Sequence, residues 1–123
     1  MAYIESGGKD KRCAKRSPKF EEGREGDIID VSRLLPNPHS KIKRYALPNN
    51  AAAIINHFVT MSQNKWNGLV AQGVETLEAG RPLRVQCGHG MHRSFALAEA
   101  IANRYKVKNH VRPEVVHLDR KDD

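Results

Sequence analysis

This 123-residue chain is short of cysteine, of aromatics and of long apolar runs, and each shortage removes a class of protein. Its two cysteines, Cys13 and Cys87, cannot build the disulfide framework of a small secreted domain, so a reducing, cytoplasmic setting is expected. The longest uninterrupted apolar run, residues 51–55, falls far below the roughly 20 residues that a bilayer-crossing helix needs. No signal-peptide pattern is present either, and no membrane partner is expected. Aromatics amount to 6%, with Trp66 the one tryptophan, too few to stack a row of bases. Aspartate is absent between Asp30 and Asp119, which restricts the supply of general acids. No internal repeat or low-complexity tract is visible.

Positive charge is what the chain has in excess. Lys and Arg number 21 against 14 Asp and Glu, and the resulting +7 suggests a polyanionic partner. Part of it is local: Lys9, Lys11, Arg12, Lys15, Arg16, Lys19 and Arg24 crowd the first 24 residues. With almost no hydrophobic periodicity there, residues 1–24 are expected to be a basic, flexible arm, and residues 25–123 a single α/β domain. Two further clusters, Lys41, Lys43 and Arg44 and then Arg104, Lys106 and Lys108, are candidates for contact with an RNA backbone.

Asp27-Ile28-Ile29-Asp30-Val31 reads as a strand, followed by Leu34-Leu35-Pro36-Asn37-Pro38-His39, where two prolines forbid regular structure. Pro48-Asn49-Asn50 can cap a helix carrying Ile54, Ile55, Phe58 and Met61. A second helix places Trp66, Leu69, Val70, Gly73, Val74 and Leu77 at steps of three and four and stops at Gly80, with Trp66 read as core. A strand over residues 82–86, a helix over 93–105 carrying Phe95, Ala98, Ala102 and Tyr105, and a last strand about residues 111–117 complete the chain. The order β-loop-α-α-β-α-β predicts a small parallel, or mostly parallel, sheet with right-handed crossovers and helices on both faces. Ligands of such sheets bind beyond the carboxyl ends of the strands, where residues 36–39, 87–93 and 117–119 would all emerge.

Residues 85–94, Val-Gln-Cys-Gly-His-Gly-Met-His-Arg-Ser, form the most informative of these turns. A glycine-rich passage from strand to helix aims backbone N–H groups and the positive end of the helix dipole at one point. Gly88 and Gly90 let a ligand approach the backbone, Arg93 offers a planar fork for phosphate oxygens, and His92 and Ser94 support it. The spacing Cys87-x5-Arg93-Ser94 also fits a cysteine-dependent phosphatase, in which a thiolate attacks phosphorus while arginine holds the equatorial oxygens. That chemistry needs a general acid. Asp119 is the candidate, in an unusual chain order, and Gln86 stands where histidine often precedes the cysteine. Cys87, His89 and His92 would diverge as metal ligands on such a turn, so no metal and no cofactor is expected. His57, His110 and Cys13 carry no visible role.

The loop from Cys87 to Ser94, continued by Ala96-Leu97-Ala98-Glu99, resembles the Cys-Thr-Gly-Gly-x-His-Arg-Ser loop and following helix of the RapZ C-terminal domain family, part of a bacterial RNase adapter. That family also carries Leu-Pro-Asn-Pro after a strand, matched here by Leu35-Pro36-Asn37-Pro38, and His-Arg-Asp after its last strand, echoed by His117-Leu118-Asp119. Ser17-Pro18-Lys19-Phe20-Glu21-Glu22-Gly23 is a fainter echo of its Ser-Phe-Gly-Phe-Lys-Tyr-Gly, with the lysine out of register. The resemblance spans residues 27–119. It implies a domain similar to a phosphofructokinase subdomain that binds glucosamine-6-phosphate and small RNA. On that reading Asn37, His39, Cys87, Gly88, His89, Gly90, His92, Arg93, Ser94, His117 and Asp119 surround the ligand. The P-loop ATPase domain of longer family members has no counterpart, since no G-x4-G-K-[ST] occurs, and ATP hydrolysis is not implied. The expectation is a regulatory binding domain, an adapter more than an enzyme, with a phosphorylated small molecule and RNA as partners. A phosphatase using Cys87, Arg93 and Asp119 is the alternative, and homo-oligomer formation is left open.

Overall fold

Four strands, all parallel, pair in the order β2-β3-β1-β4 in a computed structural model that describes residues 2–8, 20, 27–31, 63–87 and 93–118. The elements are β1 (Tyr3–Gly8), β2 (Asp27–Asp30), α1 (Gln63–Glu78), β3 (Leu83–Cys87), α2 (Arg93–Asn109) and β4 (Glu114–His117). The chain is thus an α/β domain with a parallel sheet. Among the described residues, no helix is long and apolar enough to cross a membrane.

The steps from β2 to β3 and from β3 to β4 move the same way across the sheet. Right-handed crossovers therefore put α1 and α2 on the same face. Period-2 alternation directs Ile4, Ile29, Val31, Leu83, Val85 and Cys87 to that face, where they pack with Trp66, Leu69, Val74 and Leu77 of α1 and Leu97, Ile101 and Ala102 of α2. The step from β1 to β2 runs the other way. Phe20, within that connection, stacks on Tyr3 at a centroid separation of 6.4 Å, on the opposite face. Helices were expected on both faces; the two described helices share one.

Local chemistry explains the helix limits. Gly80, at φ 81°, closes α1: its N–H donates to the Leu77 carbonyl and the Arg81 N–H reaches back to Thr76, the paired bonds of a Schellman cap. His110, at φ 63°, does the same job for α2 through an N–H donated to the Lys106 carbonyl at 2.8 Å, which gives this histidine a role that the sequence did not disclose. The helix accordingly runs to Asn109 instead of residue 105, and the last strand starts at Glu114 instead of near 111.

The largest correction is at the amino terminus. Tyr3–Gly8 lies in the stretch expected to be a flexible arm, yet it is an interior strand between β3 and β4, buried from Ile4 to Gly8. Its pattern misleads because Glu5, wholly buried, reads as solvated until its partner Arg84 is seen. The expected helix bearing Ile54 and Phe58 lies outside the described residues.

Gly73 sets the approach of the two helices. A Cβ there would sit 2.4 Å from Ile101 Cδ1, which no relaxation of the backbone easily absorbs. Gly73→Ala is expected to destabilise the fold by about 1–3 kcal/mol through overpacking. Ile101→Val in the same chain should recover part of that loss, because it deletes the clashing methyl. Denaturant titration of both single variants and the double variant checks this; strictly additive losses would count against the contact.

Candidate functional site

In a parallel sheet every strand ends at the same edge. Here the last residues are Gly8, Asp30, Cys87 and His117, and Gly8 pairs in register with Cys87. α2 begins at Arg93, so its first turn stands over the end of β3. The two are tied by one contact: Cys87 Sγ donates to Ser94 Oγ at 3.3 Å, both groups being buried. That bond ties the last residue of β3 to the second residue of α2. It fixes the start of the helix, and with it the half-buried Arg93, against the strand end. The Cys87 thiol is 2% exposed and gives its S–H to this junction.

His117 is brought to the same edge, but not in the way the sequence suggests. Its Nδ1 lies 2.6 Å from Ser6 Oγ and its Nε2 2.8 Å from Glu99 Oε2, while its ring packs on Phe95 at 4.6 Å. Both ring nitrogens are directed at protein partners, so the expected ligand contact through His117 would have to break one of them. Ser6 is wholly buried, which removes it as a nucleophile despite its Ser-His-Glu arrangement. Glu99 also accepts from Arg112, which reaches Asn103 as well. The hydrogen bond from His117, then the charges of His117 and Arg112, hold the Glu99 carboxyl below its ordinary pKa against the opposing effect of burial.

Asn37, His39, Gly88, His89, Gly90, His92 and Asp119, along with the basic residues Lys41, Lys43 and Arg44, lie outside the described residues. Of the second basic cluster, Arg104 and Lys108 border a groove of about 510 Å³ between α1 and α2, facing Glu75 and Glu78. Lys108 donates to Glu78 at 3.0 Å and lowers its pKa. Lys106 sits about 200° around the helix from Arg104, so the three cations do not make a single stripe. Sequence reasoning missed Ser6, Gly8, Glu99 and Arg112. The Gly-Gly at the end of Tyr3-Ile4-Glu5-Ser6 was the one available signal; Glu99 and Arg112 are adjacent only once α2 and β4 are folded.

With this geometry in view, the chain is similar to a nucleotide-binding protein of Corynebacterium aurimucosum, 29% identical over 115 residues. The match covers 81% of this chain and 38% of that protein, so the chain spans well under half the relative's length. No family model matches the chain. The relative fits the resemblance to the RapZ C-terminal domain broadly.

The Glu99 carboxylate is lowered in the folded state, so its contribution is present above its ordinary pKa of 4.5 and is lost as pH falls through the depressed value. Glu99→Gln should lower stability near neutral pH by about 1 kcal/mol. As pH falls from 4.5 through the depressed value, the gap between the variant and the wild type should close. Urea unfolding from pH 3 to 8 measures this; a constant gap over that range would refute the assignment.

Proposed function

We propose that this chain is a RapZ C-terminal-like binding domain that takes a phosphorylated ligand, an amino-sugar phosphate such as glucosamine-6-phosphate or a nucleotide, at the carboxyl edge of its sheet. The observation that carries this reading is the Cys87–Ser94 bond, which fixes a helix start bearing Arg93 at the end of a parallel strand. There a guanidinium fork and the helix dipole act on the same anion. The C. aurimucosum relative's name supports a phosphorylated partner in general. On this reading Arg93 holds the phosphate, and Gly88, His89, Gly90 and His92 surround it with backbone and ring donors. Asn37, His39 and Asp119 close the site from the neighbouring loops. His117 buttresses the edge through Ser6 and Glu99, without needing a free ring nitrogen. RNA is the proposed macromolecular partner, met by Lys41, Lys43 and Arg44 and by the basic stretch that follows β1.

Arg93→Ala should weaken glucosamine-6-phosphate binding by about 1.5–3 kcal/mol, the range for charge-assisted hydrogen bonds. Isothermal titration of both proteins reads this directly, and unchanged affinity would sink the reading. The alternative, a phosphatase, predicts turnover of an aryl phosphate that Cys87→Ser abolishes; none is expected from an enclosed thiol. For RNA, affinity should fall steeply across a salt series, because each neutralised phosphate releases condensed counterions. Charge reversal at Lys41, Lys43 and Arg44 should flatten that slope, and RNA binding undetectable at low salt would restrict the function to the small ligand.

A further inference from the structure

On the sheet face opposite α1 and α2, an ion pair with almost no solvent exposure joins the neighbouring strands β1 and β3. Glu5 and Arg84 are paired in register, their side chains 0% and 1% exposed, with Arg84 Nη1 donating to Glu5 Oε2 at 2.5 Å. Glu5 Oε1 also accepts from Tyr3 Oη at 2.7 Å on the amino side, whereas the remaining Arg84 bonds lead toward the carboxyl edge. Arg84 Nη2 donates to the Gly8 carbonyl at 3.1 Å, and Nε to Gln86 Oε1 at 3.2 Å. Gln86 Nε2 donates onward to Asp30 Oδ2 at 3.3 Å. One guanidinium thus contacts the last residue of β1 and the next-to-last of β3, and through Gln86 the last of β2. Gly7 makes room for it: a Cβ there would lie 2.6 Å from Nη2.

A buried ion pair is weak evidence for stability, since desolvating two charges offsets much of their attraction, and apolar replacements of similar size are often neutral or stabilising. The directional content lies in where the other donors point. We infer that Arg84 is a positioning residue: anchored by Glu5, it holds the ends of β1, β2 and β3 in fixed relation. From those ends the chain enters the proposed anion-binding edge, Gly8 standing beside Cys87. The inference rests on the proposed ligand reading for its purpose, while the alignment of the edge is open to test without ligand.

The backbone supplies internal controls. The Val31 N–H to Gln86 carbonyl bond (2.8 Å) and the Leu118 N–H to Ser6 carbonyl bond (3.0 Å) lie at the carboxyl edge. The Asp27 N–H to Pro82 carbonyl bond (3.0 Å) and the Glu114 N–H to Ala2 carbonyl bond (2.8 Å) lie at the amino edge of the same strand pairs. In the full chain, the double variant Glu5→Leu/Arg84→Met and the single variant Gly7→Ala are compared with wild type by amide hydrogen exchange and thermal unfolding. Exchange at Val31 should accelerate about tenfold or more and Leu118 should follow, while Asp27 and Glu114 change less than about twofold and the melting temperature of the double variant holds. Acceleration equal at both edges, a double variant that does not fold, or no change at Val31 overturns the inference. A titration with inorganic phosphate keeps the two claims apart. Wild type that binds no phosphate defeats the proposed function while the exchange contrast still decides the positioning role. Wild type that binds phosphate no better than the double variant defeats the positioning role.

Discussion

Everything at the carboxyl edge depends on β1 lying between β3 and β4. Tyr3–Gly8 must pair with residues about 80 positions later on one side and about 110 later on the other. Without it, β3 has a partner only on the β2 side, β4 has none among the described strands, and neither Ser6 nor Gly8 is available to the ends of those strands. Such non-local parallel pairing is slow to form because loop closure precedes any reward. The strand earns its place through side chains on both faces. Ile4 and Ser6 enter the helix-covered core and the His117 contact, while Glu5 meets Arg84 on the other face.

That division also explains what could be read in advance. The apolar stripes of α1 and α2, the stop at Gly80 and the strand ending in Cys87 follow from periodicity and turn chemistry, and they were legible. β1 was not, because its decisive residues invert the usual signals. A buried glutamate reads as surface, a pair of glycines reads as linker, and the arginine that accounts for both lies in another strand. At the edge, the passage from strand to helix between Cys87 and Arg93 was legible from its glycines and spacing, while the Cys87–Ser94 bond was not, since Ser94 reads there as a phosphate contact. Nor was the His117–Glu99–Arg112 chain. It spans α2 and β4, and nothing in the order of residues pairs a mid-helix carboxylate with a strand-end imidazole.

The positive charge of the chain is less uniform in space than in composition. Among the eight Lys and Arg of the described residues, at least four have ion-pair partners: Arg81 pairs with Asp27, Lys108 with Glu78, Arg112 with Glu99 and Arg84 with Glu5. Apart from the buried Arg84–Glu5 pair, these partly exposed pairs contribute little to stability, yet they cancel field locally. A net charge of +7 therefore overstates the attraction that the described surface of α2 offers to a polyanion. The excess resides mainly in the stretches joining β1 to β2 and β2 to α1, where the other basic clusters of the sequence fall.

The balance between binding and catalysis turns on which groups at the edge have protons or electron pairs to spare. A phosphatase needs a thiolate that can reach phosphorus and an acid that can follow the leaving group. Cys87 is enclosed and gives its S–H to Ser94. Both nitrogens of His117 are occupied, one by Ser6 and one by a carboxylate that would oppose proton release to a substrate. Asp30, the nearest strand-end aspartate, accepts from Gln86, which is itself held by Arg84. Among the described residues, Cys87, His117 and Asp30 are thus each engaged in holding a strand end or a helix start in place. On the proposed binding reading, side chains engaged in this way keep the strand ends and the helix start fixed around an oxyanion.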